Sequence, residues 1–283
     1  MSESVHRPDG RRILAEIRTT ATPEEVWMAW TDPAGICRWF ADDARGEAKS
    51  GSNLVWTFRG FGEMTYPVLV ADPPARLVLA GEIPGRGPFA LEVLIRQTEG
   101  TTVVRLVNSG FLDGAEWDEE YEGVRSGWFG SLALLKQSLE HHRGSPRQAA
   151  MILRPAAAAP EELYRYFGEA DRLAAWLTRT GALGDVGDRA ALVFPDGSRL
   201  SGSVLSATGR EKSVTWDEED GSVLELKGFG APGGRMVGVR LTTWGDAADR
   251  LARFEGLFTP AVERLAARLA PEPSLGGGPL RQG

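Results

Sequence analysis

Trp117, Tyr121, Val124, Trp128, Leu132, Leu135 and Leu139 recur at steps of four and three, the spacing of one face of a long α-helix. Ala247, Leu251, Phe254, Phe258, Val262, Leu265 and Leu269 repeat those steps, each 130 positions later. The openings match as well: Ala159-Pro160-Glu161-Glu162 repeats Thr22-Pro23-Glu24-Glu25, and Trp176-Leu177 repeats Trp39-Phe40, both at an offset of 137. Matching landmarks at fixed offsets mark an internal duplication. The chain is therefore expected to be a tandem, each half closed by one long amphipathic helix.

Within the first half, the alternation of Ile13, Ala15 and Ile17 predicts a strand. Thr22-Pro23-Glu24-Glu25 then predicts a capped helix start, with Thr as N-cap, Pro at the first helical position and Glu completing a capping box. A short second helix ends near Trp39-Phe40. Antiparallel strands are expected at 53–59, 63–71, 76–81, 89–97 and 101–108, with Asp72-Pro73-Pro74 and Glu99-Gly100 as turns. The second half fills the same slots at 191–194, 200–207, 212–216, 223–228 and 236–243, after a first strand at Met151 to Leu153. Arg143 to Gln148 reads as a linker, and Gly228-Phe229-Gly230 and Gly85-Arg86-Gly87-Pro88 as hairpin turns. The units are placed at 11–142 and 149–270, with 1–10 and 271–283 expected to be disordered.

The 283 residues suffice for two cores. A net charge of −7 argues against a nucleic-acid partner, which needs a concentrated basic face. No apolar run approaches the roughly 18 residues of a membrane span, and residues 1–12 lack the apolar core of a signal peptide, so a cytoplasmic location and no membrane partner are expected. Cys37 is the only cysteine, which excludes an intrachain disulfide and a cysteine-based zinc site. Only four of the 32 basic residues are lysine, a bias expected of a GC-rich bacterial gene.

The order of one strand, two small helices, an antiparallel meander and a long final helix is that of the helix-grip fold, an α+β architecture. Pro23-Glu24-Glu25-Val26-Trp27, Ala29-Trp30-Thr31, Trp39-Phe40, Asp72-Pro73-Pro74-Ala75-Arg76-Leu77, Gly100-Thr101-Thr102-Val103, Asn108-Ser109-Gly110-Phe111 and Gly127-Trp128 carry the likeness further. Together they resemble the START-like superfamily, in the branch named for the C-terminal domain of the activator of the heat-shock-protein-90 ATPase. The second half is the more degenerate copy. Ala159 replaces the capping hydroxyl, Ala247 and Leu251 replace Trp117 and Tyr121, and Pro260 falls inside the long helix. The resemblance implies a curved sheet wrapped around the long helix, with a cavity between them that many relatives use for apolar ligands and a few for catalysis.

Trp30, Trp39, Trp56, Trp117, Tyr121, Trp128 and Leu132 are the candidate ligand-binding residues of the first unit. Aromatic walls give large contact area, and an indole N–H or a phenol offers one orienting group. Any single tryptophan is explained more simply as core beneath a curved sheet. Arg96 and Arg105, with Glu92 and Glu63 near them in the pattern, fit a surface charge ladder. No catalytic residue, metal site or cofactor is expected. His141 and His142 are adjacent on a helix end without a third ligand, and the acidic run Glu116 to Glu122 fits a helix start with Asp113 and Glu116 as a capping box. The expected function is a binding protein for a small apolar or aromatic molecule. The alternatives are a chaperone-linked or other protein-interaction regulator, with self-association through the second unit, and an aromatase- or cyclase-like enzyme.

Overall fold

The computed structural model describes residues 10 to 270 except 84, 86, 232 and 233. All but Gly10 of the expected disordered ends lies outside them. The first half runs β1 (Arg11–Thr19), α1 (Pro23–Thr31), α2 (Pro33–Cys37), β2 (Asp43–Gly46), β3 (Asn53–Phe58), β4 (Gly62–Asp72), β5 (Arg76–Ile83), β6 (Gly87–Thr98), β7 (Thr101–Phe111) and α3 (Asp118–His141). The second runs β8 (Arg147–Ala156), α4 (Pro160–Gly168), α5 (Ala170–Ala174), β9 (Arg189–Val193), β10 (Arg199–Ala207), β11 (Glu211–Trp216), β12 (Ser222–Ala231), β13 (Gly234–Trp244) and α6 (Ala248–Arg268). The sheets are ordered β1-β7-β6-β5-β4-β3-β2 and β8-β13-β12-β11-β10-β9, antiparallel throughout. One order maps onto the other strand by strand, with β2 reduced in the second half to a single antiparallel bridge from Thr180 to Val193.

Local chemistry sets the short helices. Thr22 Oγ1 accepts from the Glu25 N–H at 3.2 Å while Glu25 Oε2 accepts from the Thr22 N–H at 2.8 Å, closing the capping box. Ala159, in the same place on α4, has no side-chain cap. Asp32 ends α1 and caps α2 through the Gly35 N–H at 2.7 Å. Gly35 cannot carry a side chain there, because a Cβ would stand 2.1 Å from the Met28 carbonyl oxygen.

Several expectations differ from the structure. Trp117 belongs to a separate 3₁₀ turn, Ala115–Trp117, and not to α3. The Asp113–Glu116 capping box is absent, because Gly114, at φ 113°, begins that turn and makes no side-chain cap. Arg11 binds Asp118 and lies 3.9 Å from Asp113 instead. Arg147 and Gln148 are strand residues, since they pair with Trp244 and Thr243. Gly228-Phe229-Gly230 runs inside β12, paired with Val237, Met236 and Arg235. Strand β2 escaped notice because Asp43-Ala44-Arg45-Gly46 is a mostly exposed edge without apolar alternation.

Each sheet closes over its own apolar core. Helix α3 does more than close the first. Trp128, Leu132 and Leu135 face the first core, while on the opposite side Leu134 packs with Leu205, Val223 and Trp244 of the second sheet. The Ser126 hydroxyl donates to Thr208 Oγ1 at 2.8 Å, and Gln137 Nε2 donates to the Gly221 carbonyl at 3.3 Å. The second sheet thus wraps α6 on one face and seats α3 on the other.

Candidate ligand-binding site

In the first sheet, alternate residues of β3 and β4 point toward α3, bringing Leu54, Trp56, Tyr66 and Val68 into one core. Trp30 arrives from α1, and Trp39 and Phe40 from the turn after α2. Trp30 meets Trp39 edge-on at 4.8 Å and lies 6.1 Å from Trp128. The Phe40 ring stacks on both Trp39 (4.9 Å, 29° between planes) and Trp128 (5.4 Å, 15°). Its edges meet Trp56 at 5.5 Å and Phe58 at 5.1 Å. Trp56 continues to Tyr66 at 4.4 Å, and Tyr66 to Phe89 at 6.0 Å. Such offset and edge-on pairs let the negative ring faces meet positive edges.

Five of the seven expected site residues, Trp30, Trp39, Trp56, Trp128 and Leu132, are buried together in this cluster. The other two are not. Trp117 is half-buried in the 3₁₀ turn, outside the core cluster. Tyr121 reaches only the margin, where its ring meets Phe111 edge-on at 5.4 Å and carries the Arg11 guanidinium at 4.7 Å. Its hydroxyl donates to the Arg12 carbonyl at 3.1 Å. An orienting phenol was expected here, and the group instead pins α3 to β1. Arg105 points to the outer face and pairs with Glu16 at 2.9 Å, while Glu92 pairs with Arg76 and Glu63 with Arg45.

The indole donors differ in what they are given. Trp39 Nε1 donates to the Ala29 carbonyl at 2.9 Å, and Trp128 Nε1 to Asn108 Oδ1 at 3.0 Å. Trp30 Nε1 is buried without a partner. Tyr66 was not singled out from sequence, although the inward parity of Tyr66 and Val68 on β4 was there to find it. Its hydroxyl reaches only the Met64 thioether, at 3.3 Å, a weak acceptor. Burial pushes the phenol above its ordinary pKa, so it stays protonated and acts as a donor.

The second core is aromatic in a different way. Trp176 Nε1 donates to the Tyr166 carbonyl at 3.0 Å. Phe194 meets Trp216 at 5.3 Å and Phe258 at 5.5 Å, and Phe254 meets Phe258 at 4.8 Å. Beneath α3, the other face of this sheet holds charge. Glu211 Oε2 lies 2.8 Å from Lys227 Nζ, which lies 3.2 Å from Glu225 Oε1, itself 2.7 Å from Arg240 Nη2. Burial raises the pKa of Glu225, but Arg240 and Lys227 outweigh it and hold the carboxyl at about 2. Burial pushes Glu211 up, with only Lys227 and Arg240 opposing. Among the described residues, no group of three or more His, Cys, Asp or Glu could hold a metal ion, and no helix is long and apolar enough to cross a membrane.

Residues 20–140 match the family model of the Activator of Hsp90 ATPase homolog 1-like protein. No curated protein matches the chain. Among solved structures, the Aha1 dimer from Colwellia psychrerythraea is 24% identical, covers 48% of this chain and all of its own (100%), and has a TM-score of 0.43. DynU16, a protein of the dynemicin biosynthetic locus, is 16% identical over 93% of this chain and 100% of its own, with a TM-score of 0.43. The di-domain ARO/CYC BexL from the BE-7585A biosynthetic pathway is 14% identical over 92% and 93%, with a TM-score of 0.44. The chain is a tandem of two helix-grip units, each an antiparallel sheet around a long C-terminal helix, and the first of them matches, over residues 20–140, the family model of the Activator of Hsp90 ATPase homolog 1-like protein.

Proposed function

We propose that the protein binds a small aromatic or apolar molecule at the aromatic cluster of its first unit. The observation that carries this is the half-buried Phe40 ring stacked on both Trp39 and Trp128. A planar ligand ring entering there exchanges one stack for another and keeps the indole contacts. The under-used donors, Trp30 Nε1 and the Tyr66 hydroxyl, would recognise a ligand acceptor such as a carbonyl or phenolic oxygen. A protonated Tyr66 and an outward-facing Arg105 support binding over acid–base turnover.

Native mass spectrometry of the freshly purified full chain, followed by solvent extraction, tests this reading. A reproducible small-molecule adduct that is lost in Trp128→Ala with folding intact is the expected result. A bare mass, with no response to a panel of aromatic compounds, refutes it. A protein-interaction role is the second reading, favoured by Phe61 and Met64 near the tip of the β3–β4 hairpin, which are 67% and 39% exposed.

A further inference from the structure

Helix α3 carries a third stripe at the margin of the first core, where Phe129 still packs against that core. Phe129, Ala133, Lys136 and Glu140, spaced by four, three and four, line a cleft of about 1090 Å³ between the two halves. Its size is at or just above the range of small-molecule sites, roughly 300–1,000 Å³, and domain interfaces are a favoured place for them. Ile17 and Arg18 of β1 continue the first wall. Across the gap stand Ser203, Leu205 and Ala207, alternate half-buried residues of β10 that share one face.

Most charged groups in the cleft are already engaged. Glu16 binds Arg105, Glu140 accepts from the Thr20 N–H, and Arg189 binds Asp217 and Ser203. Asp220 is held by Arg250. Arg18 and Lys136 are exposed, and among the described residues neither has an acidic partner within salt-bridge distance. What remains is an apolar surface from Ile17, Phe129, Ala133 and Leu205, bordered by the two cations of Arg18 and Lys136.

We infer that this cleft is a second ligand site, separate from the aromatic cluster, for a small amphipathic anion: an apolar ring system bearing one sulfonate or carboxylate. The apolar body lies against Phe129, Ala133 and Leu205, and the acid group meets Arg18 and Lys136. The inference stands independently of the proposed function, since it uses none of the residues of the aromatic cluster.

The test is a fluorescence titration of the full chain with anilinonaphthalene sulfonate, beside its uncharged analogue phenylnaphthylamine. Saturable sulfonate binding should weaken about tenfold or more in Arg18→Glu/Lys136→Glu, the size expected for losing charge-assisted contacts. The uncharged analogue should change less than twofold. Both substitutions are at exposed positions, and circular dichroism checks the fold. Ala133→Trp, which fills the cleft, should also abolish sulfonate binding. Absent sulfonate binding, or affinity within twofold of wild type in the double variant, overturns the inference. If affinity instead falls only in Phe58→Ala, the probe occupies the aromatic cluster, which overturns this site and leaves the proposed function standing.

Discussion

Trp39 and Trp176 make the same hydrogen bond in the two halves. Each indole N–H donates to the carbonyl ten residues earlier, that of Ala29 at 2.9 Å and that of Tyr166 at 3.0 Å. Both bonds tie the turn after the second short helix to the first short helix, so that each pair is held as one segment. Replacing either indole by phenylalanine strands a buried carbonyl and leaves a small void. Trp39→Phe and Trp176→Phe should each cost about 2–4 kcal/mol, measured by urea unfolding followed by far-UV circular dichroism.

A contrast between two other aromatic donors separates fold from binding. Trp128→Phe leaves Asn108 Oδ1 without its donor and should cost about 1–3 kcal/mol. Tyr66→Phe gives up only a contact with a thioether, so stability should stay within about 0.5 kcal/mol of wild type. Affinity for an acceptor-bearing ligand should nonetheless fall about five- to tenfold in Tyr66→Phe, readable by calorimetry.

Glycines on α3 predict opposite signs. A Cβ on Gly130 would stand 1.8 Å from Glu211 Oε1 of the second sheet. Gly130→Ala should therefore destabilise the folded chain by about 1–3 kcal/mol as α3 or β11 shifts. At Gly127, where a Cβ meets nothing within 4 Å, Gly127→Ala should stabilise by up to about 1 kcal/mol through helix propensity. Equal melting temperatures for the two variants would contradict the seating of α3 described above.

Acid should loosen the contact between the halves. Hydrogen bonds from Arg210 (2.9 Å) and Arg235 (2.6 Å), aided by their charges and only partly opposed by burial, hold Glu119 at about 2, against an ordinary 4.5. A carboxyl depressed by folding contributes stability that is whole above the ordinary value and lost as pH falls toward the folded one. Between about pH 5 and pH 2 that contribution should fade. Because the Glu119 side chain is 41% exposed, solvent screening keeps it modest. Glu119→Gln should show a shallower decline over the same range in a pH series of urea midpoints.

The architecture was legible because duplication and helix spacing are properties of the chain alone. Offsets of 137 and 130 located both copies, and the four-and-three spacing put Trp128 on the face of α3 that meets the first core. Tyr121 shows where such reasoning ends. Its position on the inward face was readable, but the Arg12 carbonyl that takes its hydroxyl comes from a strand more than one hundred residues away. Phe40 was quoted only as part of a motif, since adjacency to Trp39 does not reveal a ring stacked on both Trp39 and Trp128. The seating of α3 on the second sheet left one visible trace, the small residues Ser126 and Gly130 on the side away from Trp128. Glu225 and Lys227 alternate with Leu224 and Leu226 as any solvated strand face does, and only the covering helix turns them into an interior ion network.

Because α3 is clamped between two sheets, the halves share a mechanical part. The face that carries Trp128 and Leu132 and the face that meets Thr208, Glu211 and Trp244 belong to one rod. A displacement of α3 in one half is therefore a displacement in the other, and any coupling between the halves that runs through it is reciprocal.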